Sequence, residues 1–271
     1  DLHYPLRRQR QMCIRDSMYT PGHAVDPRLL EQMAQRLAHR GPDGTGQFID
    51  HDLGFVHTRL SIVDLDGGTQ PLFSPSGRSV AVANGEIYNA PDIFRDLAAQ
   101  SIEPASHSDC AIIPVLAEQS AANFLEQLRG MFALAVFDRD RRTLVLARDR
   151  LGIKPLYVCR LPHGLAFASE IKGLWPLVCA QAVMNPSAAM AFLQQNFVIG
   201  RETAIQGIER VMPGERIDLA ADGQVRRSVW WSLTDEVRAA YETDAAPVDA
   251  LAQFDERLRE SMTEHRHADV P

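Results

Sequence analysis

The chain's thiols are four and far apart: Cys13, Cys110, Cys159 and Cys179. No CxxC pair or zinc-ligand spacing joins them, so they read as reduced thiols of a cytoplasmic protein rather than a disulfide framework. Nine histidines include no HExxH, and His265 and His267, two apart, would diverge on a helix. No metal site is expected. Cys110 and Cys159 lie in apolar runs and read as small core residues. Three other spots carry polar chemistry: Arg59 after a strand-like run, Asn84-Gly85 after another, and Ser108-Asp109 before an apolar helix. Taken alone, Asn84-Gly85 is a turn signal and Ser108-Asp109 a helix N-cap.

The elements that must position these residues are legible from periodicity. Asp26-Pro27 starts a helix carrying Leu30, Met33, Ala34, Leu37 and Ala38, ended by Gly41-Pro42. Leu53–Val63 and Ser79–Ala83 are strand-like, Pro91 opens a helix to about Gln100, and Asn123–Leu128 leads to Gly130 as a helix stop. Four strands follow, Met131–Phe137, Thr143–Ala147, Leu156–Arg160 and Leu165–Ala168; the first pair turns through Asp138–Arg141 and the second through Pro162–Gly164. Asn185-Pro186 starts another helix, and Gly214–Trp231 reads as a hairpin turning at Asp222-Gly223. Strands adjacent in sequence with helices set apart from them indicate an α+β fold with antiparallel sheets.

With 271 residues, 28 Lys plus Arg against 35 Asp plus Glu and a net charge of −7, the composition is that of a globular chain. Mean hydropathy is −0.18. The longest apolar run, Met131–Phe137, is far short of the ~20 residues of a membrane helix. Neither a membrane nor nucleic acid is an expected partner. The two ends read differently. Residues 1–17 crowd Arg7, Arg8, Arg10 and Arg15 into a stretch with no apolar period, no signal-peptide core and no cleavage site. They are either a basic tail or, because Arg7–Ser17 resembles a translated sequencing adapter, a non-native segment. The helical pattern at Val248, Leu251, Ala252, Leu258 and Met262 stops without a cap, and Thr234–Pro247 is linker-like.

Seven strings resemble the asparagine synthase (glutamine-hydrolysing) family in that family's order: His39–Gly44, His57–Asp64, Asn84–Asn89, Ser108-Asp109, Arg129–Ala133, Arg148–Tyr157 and Ala168–Lys172. Each alone is weak; the ordered set is specific. The resemblance implies a class II glutamine amidotransferase domain with an N-terminal-nucleophile (Ntn) hydrolase fold, a four-layer α/β/β/α sandwich of two antiparallel sheets. It implies hydrolysis of L-glutamine to glutamate and ammonia, the ammonia passing to a C-terminal synthetase domain that uses ATP and Mg to activate a carboxylate. Residues 18–231 would be the amidotransferase domain, and 232–271 a linker and the first helix of a synthetase domain. The Ser-Gly-Gly-x-Asp-Ser loop of that domain does not occur here, so no cofactor is expected in this chain. A homodimer through the glutaminase domain also follows from the resemblance.

By the same resemblance, Arg59 binds the glutamine α-carboxylate through its guanidinium fork, with Leu60, Ile62 and Val63 lining the substrate. Asp109 holds the α-ammonium, and Glu86 sits beside it. The Asn84 side chain and the Gly85 N–H form the oxyanion hole. His39–Gly44 and Leu151–Tyr157 read as scaffold, with Arg40 able to line the pocket, and Trp230 and Trp231 as core packing. The family's nucleophile is an N-terminal cysteine whose free α-amine is the general base. Here Cys13 follows twelve residues, where a mid-chain amide cannot be a base. Three readings stay open: a native start overwritten by foreign sequence, a propeptide removed before Cys13, or a non-catalytic module supporting a β-lactam-synthetase-like domain.

Overall fold

The computed structural model describes residues 14–40, 44–59, 69–242 and 249–264. Strand β1 (Ile14–Tyr19) leads into helix α1 (Pro27–Leu37), whose start follows from the sequence: the Asp26 carboxylate accepts the Arg28 N–H at 2.9 Å, and Pro27 has no N–H to satisfy. Leu30, Met33 and Leu37 form its buried stripe. Strands β2 (Gly44–Asp50), β3 (Leu53–Arg59), β4 (Leu72–Phe73) and β5 (Ser79–Ile87) follow. Then come helices α2 (Ala90–Ala99) and α3 (Ile112–Gln119), the latter entered through a single turn at Asp109–Ala111. The central strands are β6 (Gly130–Asp138), β7 (Thr143–Arg148), β8 (Tyr157–Leu161) and β9 (Gly164–Ala168). Helices α4 (Ile171–Val178) and α5 (Pro186–Gln195) precede β10 (Ile208–Arg210) and the hairpin β11 (Glu215–Leu219) and β12 (Val225–Val229). Helices α6 (Leu233–Glu242) and α7 (Ala250–Glu264) complete the described chain.

The strands form two six-stranded sheets, in the orders β10-β8-β9-β1-β3-β2 and β12-β11-β7-β6-β5-β4. Every strand pair in them is antiparallel. The alternation of side chains then builds three apolar layers. Tyr19, Phe55, Val80, Val82, Phe137, Leu146 and Phe167 fill the space between the sheets. Met18, Val56 and Ala166 face α1 and α4 on one outside, packing with Leu174 of α4, and Ala81, Leu134 and Ala147 face α2 and α3 on the other. Burial of each large side chain contributes ~1.5–3 kcal/mol, so the α/β/β/α sandwich is held by its outer layers as well as its middle one.

Three local readings give way to this context. Asn84-Gly85 is not a turn but the interior of β5, paired in register with Ala133 and Phe132. Gly130 does not end a helix; the stretch before it holds a short 3-10 turn, Phe124–Gln127, and Gly130 opens β6. The linker-like stretch after Thr234 holds α6, none of whose residues is buried. At the N-terminal end, β1 includes Ile14–Ser17 and runs between β3 and β9.

Candidate active site

Tyr19, at the end of β1, donates its hydroxyl hydrogen to the Arg142 carbonyl in the β6–β7 turn. That contact fixes the relative direction of the two sheets. The start of β1 therefore lies at the opposite end of the sandwich, together with the end of β3 and the end of β5. Arg59 closes β3 and Asn84–Ile87 close β5, so one end of the sandwich collects both strings. The backbone of Arg59 pairs with Gly44; its side chain lies outside the described residues, as do Cys13, Leu60, Ile62 and Val63.

Asn84 shares a face with Val80 and Val82 and so points into the layer between the sheets. It is 1% exposed, and among the described residues neither its side-chain nitrogen nor its oxygen has a hydrogen-bond partner. A buried carboxamide left unpaired costs ~1–3 kcal/mol, so such a group is a candidate for ligand contact. Gly85 follows. A Cβ there would lie 2.0 Å from the Met131 carbonyl oxygen, so no other residue lets β5 and β6 approach this closely. Its N–H shares an edge with those of Ala83 and Ile87, which are taken by Gln70 Oε1 and Asp109 Oδ2. Among the described residues the Gly85 N–H has no acceptor.

Asp109 is brought to the same strand end by its bond from the Ile87 N–H, at 2.7 Å. Burial pushes its carboxyl above the ordinary aspartate value; the nearby Glu86 adds to this, and the Ile87 N–H opposes it. Glu86 itself is partly exposed. The structure thus joins Asn84, Gly85, Glu86 and Asp109 in one place, the last from a different element. The motif His39–Gly44 is tied to Ala168–Lys172 by the Lys172 ammonium, 2.6 Å from His39 Nε2 and 3.0 Å from the Glu170 carboxylate.

Arg148–Tyr157 is scaffold in a specific sense. The buried Arg148 guanidinium donates to the carbonyls of Gly152, Lys154 and Val211. The Asp149 carboxylate accepts N–H bonds from Leu151, Ile153, Lys154 and Phe132. Gly152 has φ +67°, the left-handed conformation that the turn needs. Trp230 packs on Phe132 and donates to the Arg148 carbonyl. Two residues at this end have no role in the sequence reading, although His57 opens the His57–Asp64 string. His57 is buried on the inter-sheet face of β3, opposite Arg15 in register. Gln70 lies beside β5; its Gln-Pro dipeptide was the sequence signal available. Among the described residues no cluster of three or more His, Cys, Asp or Glu could hold a metal ion, and no helix is long and apolar enough to cross a membrane.

An α/β/β/α sandwich of two antiparallel sheets, with polar groups gathered at one end of its inter-sheet layer, is the Ntn-hydrolase arrangement. The solved structure of glutamine phosphoribosylpyrophosphate amidotransferase from B. subtilis shares the fold, with a TM-score of 0.58 and 19% identity over 81% of this chain and 49% of that one. The glutamine amidotransferase domain model matches residues 12–231, and the chain belongs to that family. Its relatives include asparagine synthetase [glutamine-hydrolyzing] 2 of Bacillus subtilis, 32% identical over 249 residues, which are 89% of this chain and 33% of that protein. Asparagine synthetase B [glutamine-hydrolyzing] of Escherichia coli is 30% identical, over 89% of this chain and 37% of its own length. Amidase chry2 of Gibberella zeae is 32% identical, over 93% and 38%. The chain therefore spans little more than a third of these relatives.

Proposed function

We propose that this domain hydrolyses the side-chain amide of L-glutamine and supplies ammonia to a synthetase domain that forms an amide from a carboxylate, using ATP and Mg. The observation carrying this is the Asn84 carboxamide, buried with no hydrogen-bond partner among the described residues, directly beside the Gly85 N–H at the end of β5. In the proposed cycle an N-terminal cysteine gives its thiol proton to its own α-amine, whose pKa near ~7.7–8.0 suits the task. The thiolate adds to the amide carbonyl, and Asn84 and Gly85 donate to the oxygen that gains charge. The ammonium returns the proton to the leaving nitrogen, ammonia departs, and water cleaves the thioester to glutamate and free thiol. Arg59 and Asp109 would hold the two charged ends of the amino acid.

Ser17 supports the reading of the first seventeen residues as foreign: it is fully buried, and its hydroxyl has no hydrogen-bond partner among the described residues. The test therefore uses two versions of the chain, one processed to begin at Cys13 and one with Cys-Gly-Ile placed directly before the Tyr19–Asp26 region. At least one should release equimolar glutamate and ammonia and be labelled by a glutamine-mimicking electrophile, and Arg59→Ala should slow the labelling. If neither version reacts, the hydrolase reading falls and the non-catalytic module stands.

Asp109 adds a pH signature. Because its pKa is raised in the folded protein, its charge is lost at a higher pH than that of an ordinary aspartate. KM for glutamine should rise as pH falls, beginning above the usual range near ~3.9, while Asp109→Asn should show a high KM with no such dependence. The linkage to stability runs the other way. A carboxyl with a raised folded pKa stabilises below its unfolded pKa, and this contribution is lost as pH rises through the folded value. Asp109→Asn should therefore unfold no more easily than the parent at pH 7. A parent KM that stays flat down to pH 4 would remove Asp109 from ammonium binding.

A further inference from the structure

Strand β4 pairs Leu72 with Ala81 and Phe73 with Val80. Continuing that register sets Gln70 opposite Ala83, but the Gln70 side chain occupies the place that a backbone peptide would take. Its Oε1 accepts the Ala83 N–H at 2.9 Å, and its Nε2 donates to the Ala83 carbonyl at 3.2 Å. A carboxamide carries the same donor and acceptor as a peptide group, so the ladder closes on a side chain. The Gln70 main chain is turned toward β2, where its carbonyl oxygen would lie 1.9 Å from a Cβ on Gly46. Gly46 is the residue that admits it. Gln70 is 4% exposed, so both bonds are shielded from water.

The consequence falls one residue further along β5. The N–H groups of Ala83, Gly85 and Ile87 share an edge. In this register the carbonyl that would meet Gly85 lies beyond Gln70, and among the described residues the ladder along this edge of β5 reaches no further than the Gln70 side chain. Gln70 holds the strand just before Asn84, and Asp109 holds it just after Glu86. We infer that Gln70 is a positioning residue for the proposed oxyanion donors, fixing Asn84 and Gly85 in place. This rests on the role proposed for those two residues.

The test compares Gln70→Ala and Gln70→Glu with the parent in two measurements. Gln70→Glu keeps the shape but sets a carboxylate oxygen against the Ala83 carbonyl, so it still reports if Gln70→Ala fails to fold. In the full chain, amide hydrogen exchange at Ala83 should quicken at least ~10-fold in either variant, because a buried bond of the ladder is lost. In the version with an exposed N-terminal cysteine, kcat for glutamine should fall ~10–100-fold with KM within about 3-fold, as expected when a reacting group is misplaced. A variant weakened only in its fold would keep its kcat below its melting temperature. Parent-like exchange, parent-like kcat, or a change confined to KM each overturns the inference. An inactive parent sinks the glutaminase reading instead, and exchange at Ala83 then decides whether the clamp exists.

Discussion

Asn84→Ala is expected to lower glutamine turnover by about 10²–10³-fold while leaving KM nearly unchanged and the fold no less stable. The rate loss is that of removing one donor from an oxyanion hole. KM is spared because the donor meets full negative charge only in the transition state. The stability forecast is the unusual half. The Asn84 amide is buried without a partner, a condition that costs the free protein ~1–3 kcal/mol. Its removal relieves that cost against the small cavity it leaves. Asn84→Asp separates charge from volume: it fills the same space, offers no donor as a carboxylate, and should lose at least as much activity. Both variants would be assayed by glutamate release and by urea denaturation. Turnover within a few-fold of the parent in Asn84→Asp would show that no donor is needed there. A large stability loss in Asn84→Ala would show that the side chain is a structural member after all.

The sequence carried what is decided locally. Asp26-Pro27 and Asn185-Pro186 start helices because their side chains bond the next turn's own N–H groups, at Arg28 and at Ser187 and Ala188. The hairpins β6–β7, β8–β9 and β11–β12 were visible because apolar alternation and turn residues sit within one short window. Asn84-Gly85 misled for the same reason: as a dipeptide it favours a turn, and only pairing with β6, far along the chain, makes it a strand. The exposed edge strand β2 has no strong apolar pattern to announce it, and β10 is too short to have one. Within the site, residue types and motif order pointed to Asn84, Gly85, Glu86 and Asp109, which the fold does bring together. Gln70 was missed because its role depends on a register between strands, a quantity no local window contains.

Asp149 is where the largest loss of stability is expected. Its carboxylate is 1% exposed and gathers four backbone N–H groups, from Phe132 at 3.2 Å, Leu151 at 3.1 Å, and Ile153 and Lys154 at 3.0 Å. Beside it, Arg148 gathers the carbonyls of the same turn; burial lowers the guanidinium pKa, and the adjacent carboxylate opposes that shift. Removing the Asp149 carboxylate strands several buried donors and leaves the neighbouring cation uncompensated. Breaking such a buried arrangement costs ~3–5 kcal/mol, a large share of the ~5–15 kcal/mol that holds a typical domain. Asp149→Ala should therefore shift the urea midpoint strongly, and Asp149→Asn, which keeps one acceptor, by less. Activity should suffer as well, because the Phe132 N–H held by Asp149 belongs to the residue opposite Gly85 in the β5–β6 register. The turn thus braces the strand against which the proposed oxyanion donors lie. Folded Asp149→Asn should lose kcat as well as stability, whereas a substitution of similar stability cost in the outer layer beneath α1, such as Leu30→Ala, should lose stability alone. Equal kcat in the two would show that the Arg148-Asp149 turn holds the fold without bracing the site.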